Sequence, residues 1–177
     1  MSLFDWRAEI VKGVIVHQRL AELDTAGLWS YHLPELAASE DEIEATESAL
    51  GHRLDPQFRE FLRYANGWRS FYQDVDIFGT RALLGEGAMG SVREMLAAVD
   101  PELFFEDVGL AIDDILPVAA SDKQTDIFLM STQESQERGV VIWFAGYTID
   151  RFDSFNEFYL SMLDYNRRQI FKFEGRE

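Results

Sequence analysis

The stretch Leu54-Asp55-Pro56-Gln57-Phe58-Arg59-Glu60-Phe61-Leu62-Arg63-Tyr64-Ala65-Asn66-Gly67-Trp68 runs into an aromatic and acidic segment and closes on Val75-Asp76-Ile77-Phe78-Gly79. It opens with the chemistry of a helix start. The Asp55 carboxylate can accept the orphan amides of a first turn, and Pro56 suits the first helical position, where its missing N–H is not needed. Phe58, Phe61, Leu62 and Ala65 recur at i, i+3, i+4 and i+7, which predicts a helix with one apolar face. Asn66-Gly67 predicts its end, because glycine takes the left-handed conformation after a helix at little cost. Trp68, Phe71 and Tyr72 follow, and Val75 to Phe78 reads as a short strand. A helix stopped abruptly and turned into a sheet builds a core; nothing in the stretch is chemistry.

Toward the N-terminus, Ser39-Glu40-Asp41-Glu42 has the form of a capping box, with acidic residues where the helix dipole favours them. Ile43, Thr46 and Leu50 give that helix an inward stripe and Gly51 ends it, so two helices form a hairpin. Further back, Leu3, Trp6, Ile10, Val14, His17 and Ala21 step by three or four and predict a helix from Leu3 to Leu23. Gly13 in its middle costs about 1 kcal/mol relative to alanine. Residues 24–34, with Gly27 and Pro34, read as a connection. Toward the C-terminus, Val92 to Val99 predicts a helix closed by Asp100-Pro101, and residues 102–114 read as irregular. Ile115 to Ala119 reads as a strand in which Pro117, lacking an amide donor, requires an edge or bulge position. Ile127 to Met130 and Val140 to Phe144 are apolar, β-branched and aromatic, as in central strands, and the polar loop 131–139 joins them as a hairpin. Ser154 and Glu157 form a second capping box, before a helix whose Phe155, Phe158, Tyr159, Met162 and Leu163 share one face. Helices first, strands in the middle and a closing helix predict an α+β fold.

A chain of 177 residues suits one domain, and 47% apolar with 14% aromatic residues argues against disorder. The longest apolar run, 140–145, is far shorter than the ~18 residues a membrane helix needs. The first residues show neither the basic region nor the cleavage site of a secretory signal. With no cysteine there is no disulfide and no thiolate metal site, and these features together predict a cytoplasmic protein. Sixteen Lys and Arg against 32 Asp and Glu give a formal net charge of −16. Such a surface disfavours nucleic acid, which is bound through basic contacts to phosphate, and disfavours an anionic membrane. It would steer a basic protein toward itself, although solubility alone is a second reading of the same charge.

Gly85-Glu86-Gly87-Ala88-Met89-Gly90 matches the dinucleotide fingerprint G-x-G-x-x-G, with Glu106-Asp107 about 20 residues further on. Its context counts against it: only Arg81 to Leu84 separates it from Gly79, and no alternation of strands and helices surrounds it. It reads as a surface loop, and no cofactor is expected. His17, His32 and His52 lie far apart with no metal-ligand spacing, so no metal is expected, and His17 on the apolar stripe reads as a packed or rim histidine. Carboxylate pairs abound, as at Asp74 and Asp76, Asp113-Asp114, and Asp122 and Asp126. Acid–base catalysis needs two carboxylates in different environments of one cleft, and 32 acidic residues produce pairs by chance. No nucleophile elbow, phosphate loop or zinc-helix motif is present, and no catalytic residue is nominated. Phe71 reads as core, whereas Trp68 and Tyr72 fit either the core or an interface anchor.

Together, Leu33-Pro34, Ser39 to Glu42, Ala49-Leu50-Gly51, Leu54-Asp55-Pro56, Phe61-Leu62, Asn66-Gly67-Trp68 and Asp76-Ile77-Phe78-Gly79 resemble the start of the SUKH superfamily. Ile115 to Ala119, Asp126 to Leu129, Val140 to Phe144 and Phe155 to Leu163 are similar to its continuation. The resemblance spans residues 33–168, with Leu54-Asp55-Pro56 where the family commonly shows Leu-Pro. It leaves 1–32 outside as an N-terminal helix and connection, and 169–177 as a C-terminal tail. It implies a single α+β SUKH-like domain, with helices packed against a mixed or antiparallel sheet and a closing C-terminal helix. It also implies a non-enzymatic binding protein. Many bacterial members look like immunity proteins that neutralise polymorphic toxins by direct binding, and fungal relatives act in cell-wall assembly regulation. The expectation is an immunity protein that occludes a cognate toxin domain, basic in charge and a nuclease for example. The alternatives are a scaffold or regulator with endogenous partners, and an enzyme whose site carries no recognisable motif. An exposed aromatic and acidic loop would suit anchoring in a positive pocket, so the expected partner-binding residues are Trp68, Tyr72, Asp74 and Asp76, with Asp113 and Asp114 as a second patch.

Overall fold

The helix that opens the deciding stretch forms as its chemistry requires. In the computed structural model, which describes residues 4–176, the Asp55 side chain accepts the amides of Gln57 and Phe58, and α3 runs Pro56–Leu62. Ahead of it lie α1 (Trp6–Leu23) and α2 (Glu40–Leu50). The predicted start of α1 at Leu3 lies outside the described residues. The Ser39 capping box on α2 is complete, with both reciprocal bonds made, and Gly51 ends the helix at φ +80°.

Residues 63–67 turn the chain into β1 (Trp68–Tyr72), which pairs with β2 (Val75–Ile77). Two glycines make this turn possible. A Cβ on Gly67, at φ +92°, would stand 2.7 Å from the Gly79 nitrogen, and one on Gly79 would stand 2.1 Å from the Asn66 carbonyl oxygen. The Asn66 side chain completes the junction by accepting from the Thr80 amide at 2.8 Å and donating to its hydroxyl at 3.0 Å. The Asn-Gly and Phe-Gly pairs of the sequence are thus one backbone contact.

After β2 come α4 (Thr80–Leu83), α5 (Met89–Ala97), α6 (Pro101–Val108) and a 3-10 turn at Ile112–Asp114. Then follow β3 (Ile115–Ser121), β4 (Ile127–Ser131), β5 (Val141–Phe144), β6 (Thr148–Phe152) and the closing helix α7 (Phe155–Phe173). The six strands pair antiparallel in chain order, so the sheet is a meander with β1 and β6 at its edges, and no parallel pair occurs among the described residues. Pro117 sits in an interior strand and is accommodated by a shift of register between Pro117 and Ala119. Of the two positions open to a proline, the bulge is the one used.

Four elements were not predicted. β1 and β6 are short and carry polar residues. α4 is one turn. α6 replaces the irregular segment expected after Asp100-Pro101, because Asp100 accepts the amides of Glu102 and Leu103 and starts a helix instead of closing one. The second capping box is half made: Ser154 accepts from the Glu157 amide, but the Glu157 carboxylate takes the Asp153 amide at 2.6 Å. Residues 169–173, set apart in sequence as tail, are the last turn and more of α7.

The core lies between the sheet and α7. Phe71 of β1 stacks 4.7 Å from Tyr159, while Phe128 of β4 and Phe152 of β6 lie 4.8 and 5.9 Å from Phe158. Laid flat, five strand spacings would separate β1 from β6 by about 24 Å, so the sheet curls around the helix for both edges to reach consecutive residues of it. α1 lies against α7, where Trp6 packs among Phe61, Phe155 and Tyr159. On the opposite face of the sheet, Phe104 of α6 covers Phe144.

Candidate partner-binding site

The curl brings residues from distant strands together at one end of the sheet. Tyr72 ends β1, Trp143 lies on β5 and Tyr165 on α7, all half-buried. Their rings form a closed triangle, with centroids 6.3 Å apart for Tyr72–Trp143, 5.7 Å for Tyr72–Tyr165 and 6.1 Å for Trp143–Tyr165. Phe128 stacks beneath Trp143 at 5.2 Å and ties the triangle to the core. The guanidinium of Arg168 stands over Tyr165, 5.7 Å from the ring centre.

Four aspartates share this end, because the β1–β2 and β3–β4 turns are adjacent when Val75 pairs with Ser121. Asp126 accepts the Trp143 indole N–H at 2.7 Å. Asp76 accepts the Ser70 amide at 2.7 Å, and burial pushes its carboxyl above the usual range, with Asp122 adding to the rise. Asp74 is paired with Lys123 at 3.2 Å. Burial, then Tyr165 and Asp126, raise the Tyr72 phenol, so it stays protonated and available as a donor. Chemically, this end can hold a cation against ring faces and carboxylates.

The expected contact residues are placed as follows. Tyr72 meets Trp143 and Tyr165 here, and Asp126 is bonded to Trp143. Asp74 and Asp122 lie in the turns at the same end, whereas Asp76, paired with Ala120, points to the other face of the sheet. Trp68 is the correction: with 0% exposure it lies inside, its indole N–H donating to the His32 carbonyl at 2.9 Å and its ring against His17 and Phe71. The segment is a β-hairpin, not an exposed loop, and a strand beside a core turns its largest ring inward. Asp113 and Asp114 lie before β3, whose length of about 20 Å separates them from this end. Trp143 and Tyr165 were missed because only the curl of the sheet brings β5, α7 and β1 together; each alone reads as core.

Elsewhere, the G-x-G-x-x-G segment follows the helical turn α4 and its last glycine is inside α5, so the strand that a dinucleotide site needs is not in front of it. No group of three or more His, Asp or Glu that could hold a metal ion occurs among the described residues, and no helix among them is long and apolar enough to cross a membrane. A groove lies along α2 and the start of α3, lined by Glu40, Glu44, Arg53 and Arg59. Its charges are largely engaged with one another, since Arg59 bonds both Glu40 and Glu47.

The model of the SMI1 / KNR4 family (SUKH-1) matches residues 37–161. The chain belongs to this family. The matched region runs from just before α2 into α7, so it contains the whole sheet and the Asn-Gly and Phe-Gly junction, and it leaves α1 outside. SUKH-1 proteins are generally non-catalytic and serve in immunity or regulation, through binding to partner proteins. No curated protein matches the chain closely.

Proposed function

We propose that this chain is an immunity protein that neutralises a cognate toxin domain by binding it through the acidic and aromatic end of the sheet. Family membership supports partner binding in general. The observation that carries the finer reading is the triangle of Tyr72, Trp143 and Tyr165 with Asp126 bonded to it, at the end of the sheet whose turns carry Asp74 and Asp122, on a chain of net charge −16. Half-buried aromatics next to carboxylates have the make-up of an interface hot spot for a positively charged protein. The favoured partner is a basic domain, as a nuclease that grips nucleic acid would be, met in the cytoplasm. Asp113 and Asp114 belong to the proposal as a separate, outlying patch.

The test is affinity purification of the tagged chain from its own cells, followed by co-expression of the recovered partner domain. One dominant basic partner is expected, toxic when expressed alone and harmless when expressed with this chain. Several unrelated partners, with no relief of toxicity, would overturn the reading in favour of a scaffold or regulator.

A further inference from the structure

We infer that the Tyr72–Trp143–Tyr165 triangle, together with Asp126, is a reading site for the guanidinium of a partner's arginine, and that Arg168 is its resident occupant. The inference rests on the reading of this end as the partner-facing surface. Ring faces carry negative potential and attract a cation within about 6 Å of the centroid. Arg168 already meets that condition at Tyr165. It is exposed and makes no ion pair among the described residues, whereas its neighbour Arg167 is bonded to Asp164 at 2.7 Å. The ring therefore holds a guanidinium without help from a carboxylate.

The carboxylate stands close by. One oxygen of Asp126 accepts the indole N–H of Trp143, and the other accepts nothing among the described residues. An incoming arginine can lay its plane on a ring and turn an N–H toward that oxygen. A lysine ammonium, a compact and strongly hydrated point charge, cannot do both. The surrounding charge has the right sign, since Asp74 and Asp122 lie in the turns at the same end, Asp74 being paired with Lys123. Arg168 acts as a placeholder that covers the Tyr165 ring and leaves for solvent when a better-paired guanidinium arrives.

The experiment uses two capped tripeptides, acetyl-Gly-Arg-Gly-amide and acetyl-Gly-Lys-Gly-amide, at matched ionic strength. The Trp143 indole resonance is followed by NMR in the full chain. The arginine peptide is expected to move this resonance to saturation and to bind about threefold or more tighter than the lysine peptide. Asp126→Asn keeps an oxygen for the indole and loses the charge, so it is expected to erase that preference without unfolding the protein. Arg168→Ala uncovers the ring and is expected to tighten arginine binding. Equal response to both peptides, shifts centred away from Trp143, or unchanged arginine binding in Asp126→Asn would overturn the site. The two proposals fail separately. If Asp126→Asn protein still neutralises its partner with undiminished affinity, the guanidinium site falls and the immunity reading stands. If the arginine peptide binds but no partner is neutralised, the reverse holds.

Discussion

His17 shows how much one side chain decides. It is 5% exposed, and its Nε2 lies 2.8 Å from the Phe71 carbonyl oxygen, which also accepts from the Asn166 amide at 2.7 Å. A carbonyl only accepts, so Nε2 carries the proton and Nδ1 is left as a buried lone pair without a partner. The carbonyl is free for these bonds because Ser70 takes a left-handed backbone at φ +49° and the β1 register slips there. Burial lowers the His17 pKa from 6.5, outweighing the two backbone carbonyls, of Phe71 and His32, that favour the charged ring. The folded state thus binds this proton less well than the unfolded state does. Its contribution to stability is complete above about pH 6.5 and is lost as pH falls through the lowered folded value, by at most about 1.4 kcal/mol per pH unit. Asp55 and Asp76, raised by burial, work in the opposite sense, losing stability as pH rises from the unfolded value of 3.8. Comparing wild type with His17→Gln between pH 7 and 5 therefore isolates the histidine. Urea unfolding is expected to give a steeper fall for wild type, and equal slopes would remove His17 as the cause.

Among the elements, α1 depends on a close approach that its sequence disguises. Gly13 reads as a weakness in a helix, worth about 1 kcal/mol against alanine. In the fold, a Cβ at that position would stand 2.8 Å from the Trp68 ring and 3.0 Å from the Tyr159 hydroxyl. Neither neighbour can move easily, because Trp68 is bonded to His32 and Tyr159 to the Glu9 carbonyl. Overpacking a rigid site typically costs 1–3 kcal/mol, so Gly13→Ala is expected to lower stability by about 1 kcal/mol despite the better helix former. A thermal melt checks it, and an unchanged or raised Tm would contradict it. The same scale shows what was legible. Asp55-Pro56 reads as a helix start and is one; Asp100-Pro101, the same pair, reads as the close of the preceding helix and is also a start. Local chemistry was sufficient in both cases, but the residues after Pro101 carry only Phe104 and Val108 inward, too few for a periodic signal over eight positions. β1 escaped notice because Arg69 and Ser70 are consecutive polar residues where a strand alternates, and the left-handed Ser70 absorbs the break. β6 shows an exposed Ile149 and a register shift against β5, so it has no clean alternation either.

At the scale of the whole molecule, charge sets the behaviour toward a partner. A net charge of −16 gives long-range attraction for a basic domain, and screening over about 10 Å at 0.1 M salt removes it. The association rate with the recovered partner is therefore expected to fall roughly tenfold or more between low and high salt, with a smaller change in dissociation. Stopped-flow measurement decides this; a rate indifferent to salt would exclude steering and leave direct binding intact. Composition, capping chemistry and apolar periodicity are local and bulk properties, and they determined the α+β class, the helical hairpin, the central strands, the closing helix and the acidic character. The family motifs could be recognised in sequence for the same reason, each being a turn or cap made by neighbouring residues. Only the tertiary structure decided that Gly67 and Gly79 touch, that Trp68 is interior, and that Tyr72, Trp143, Tyr165 and Asp126 meet. Those four come from β1, β5, α7 and the start of β4, and their meeting depends on how far the sheet curls around α7. That curl is set by the packing of Phe71, Phe128 and Phe152 against Phe158 and Tyr159, a balance among distant side chains that no local pattern records.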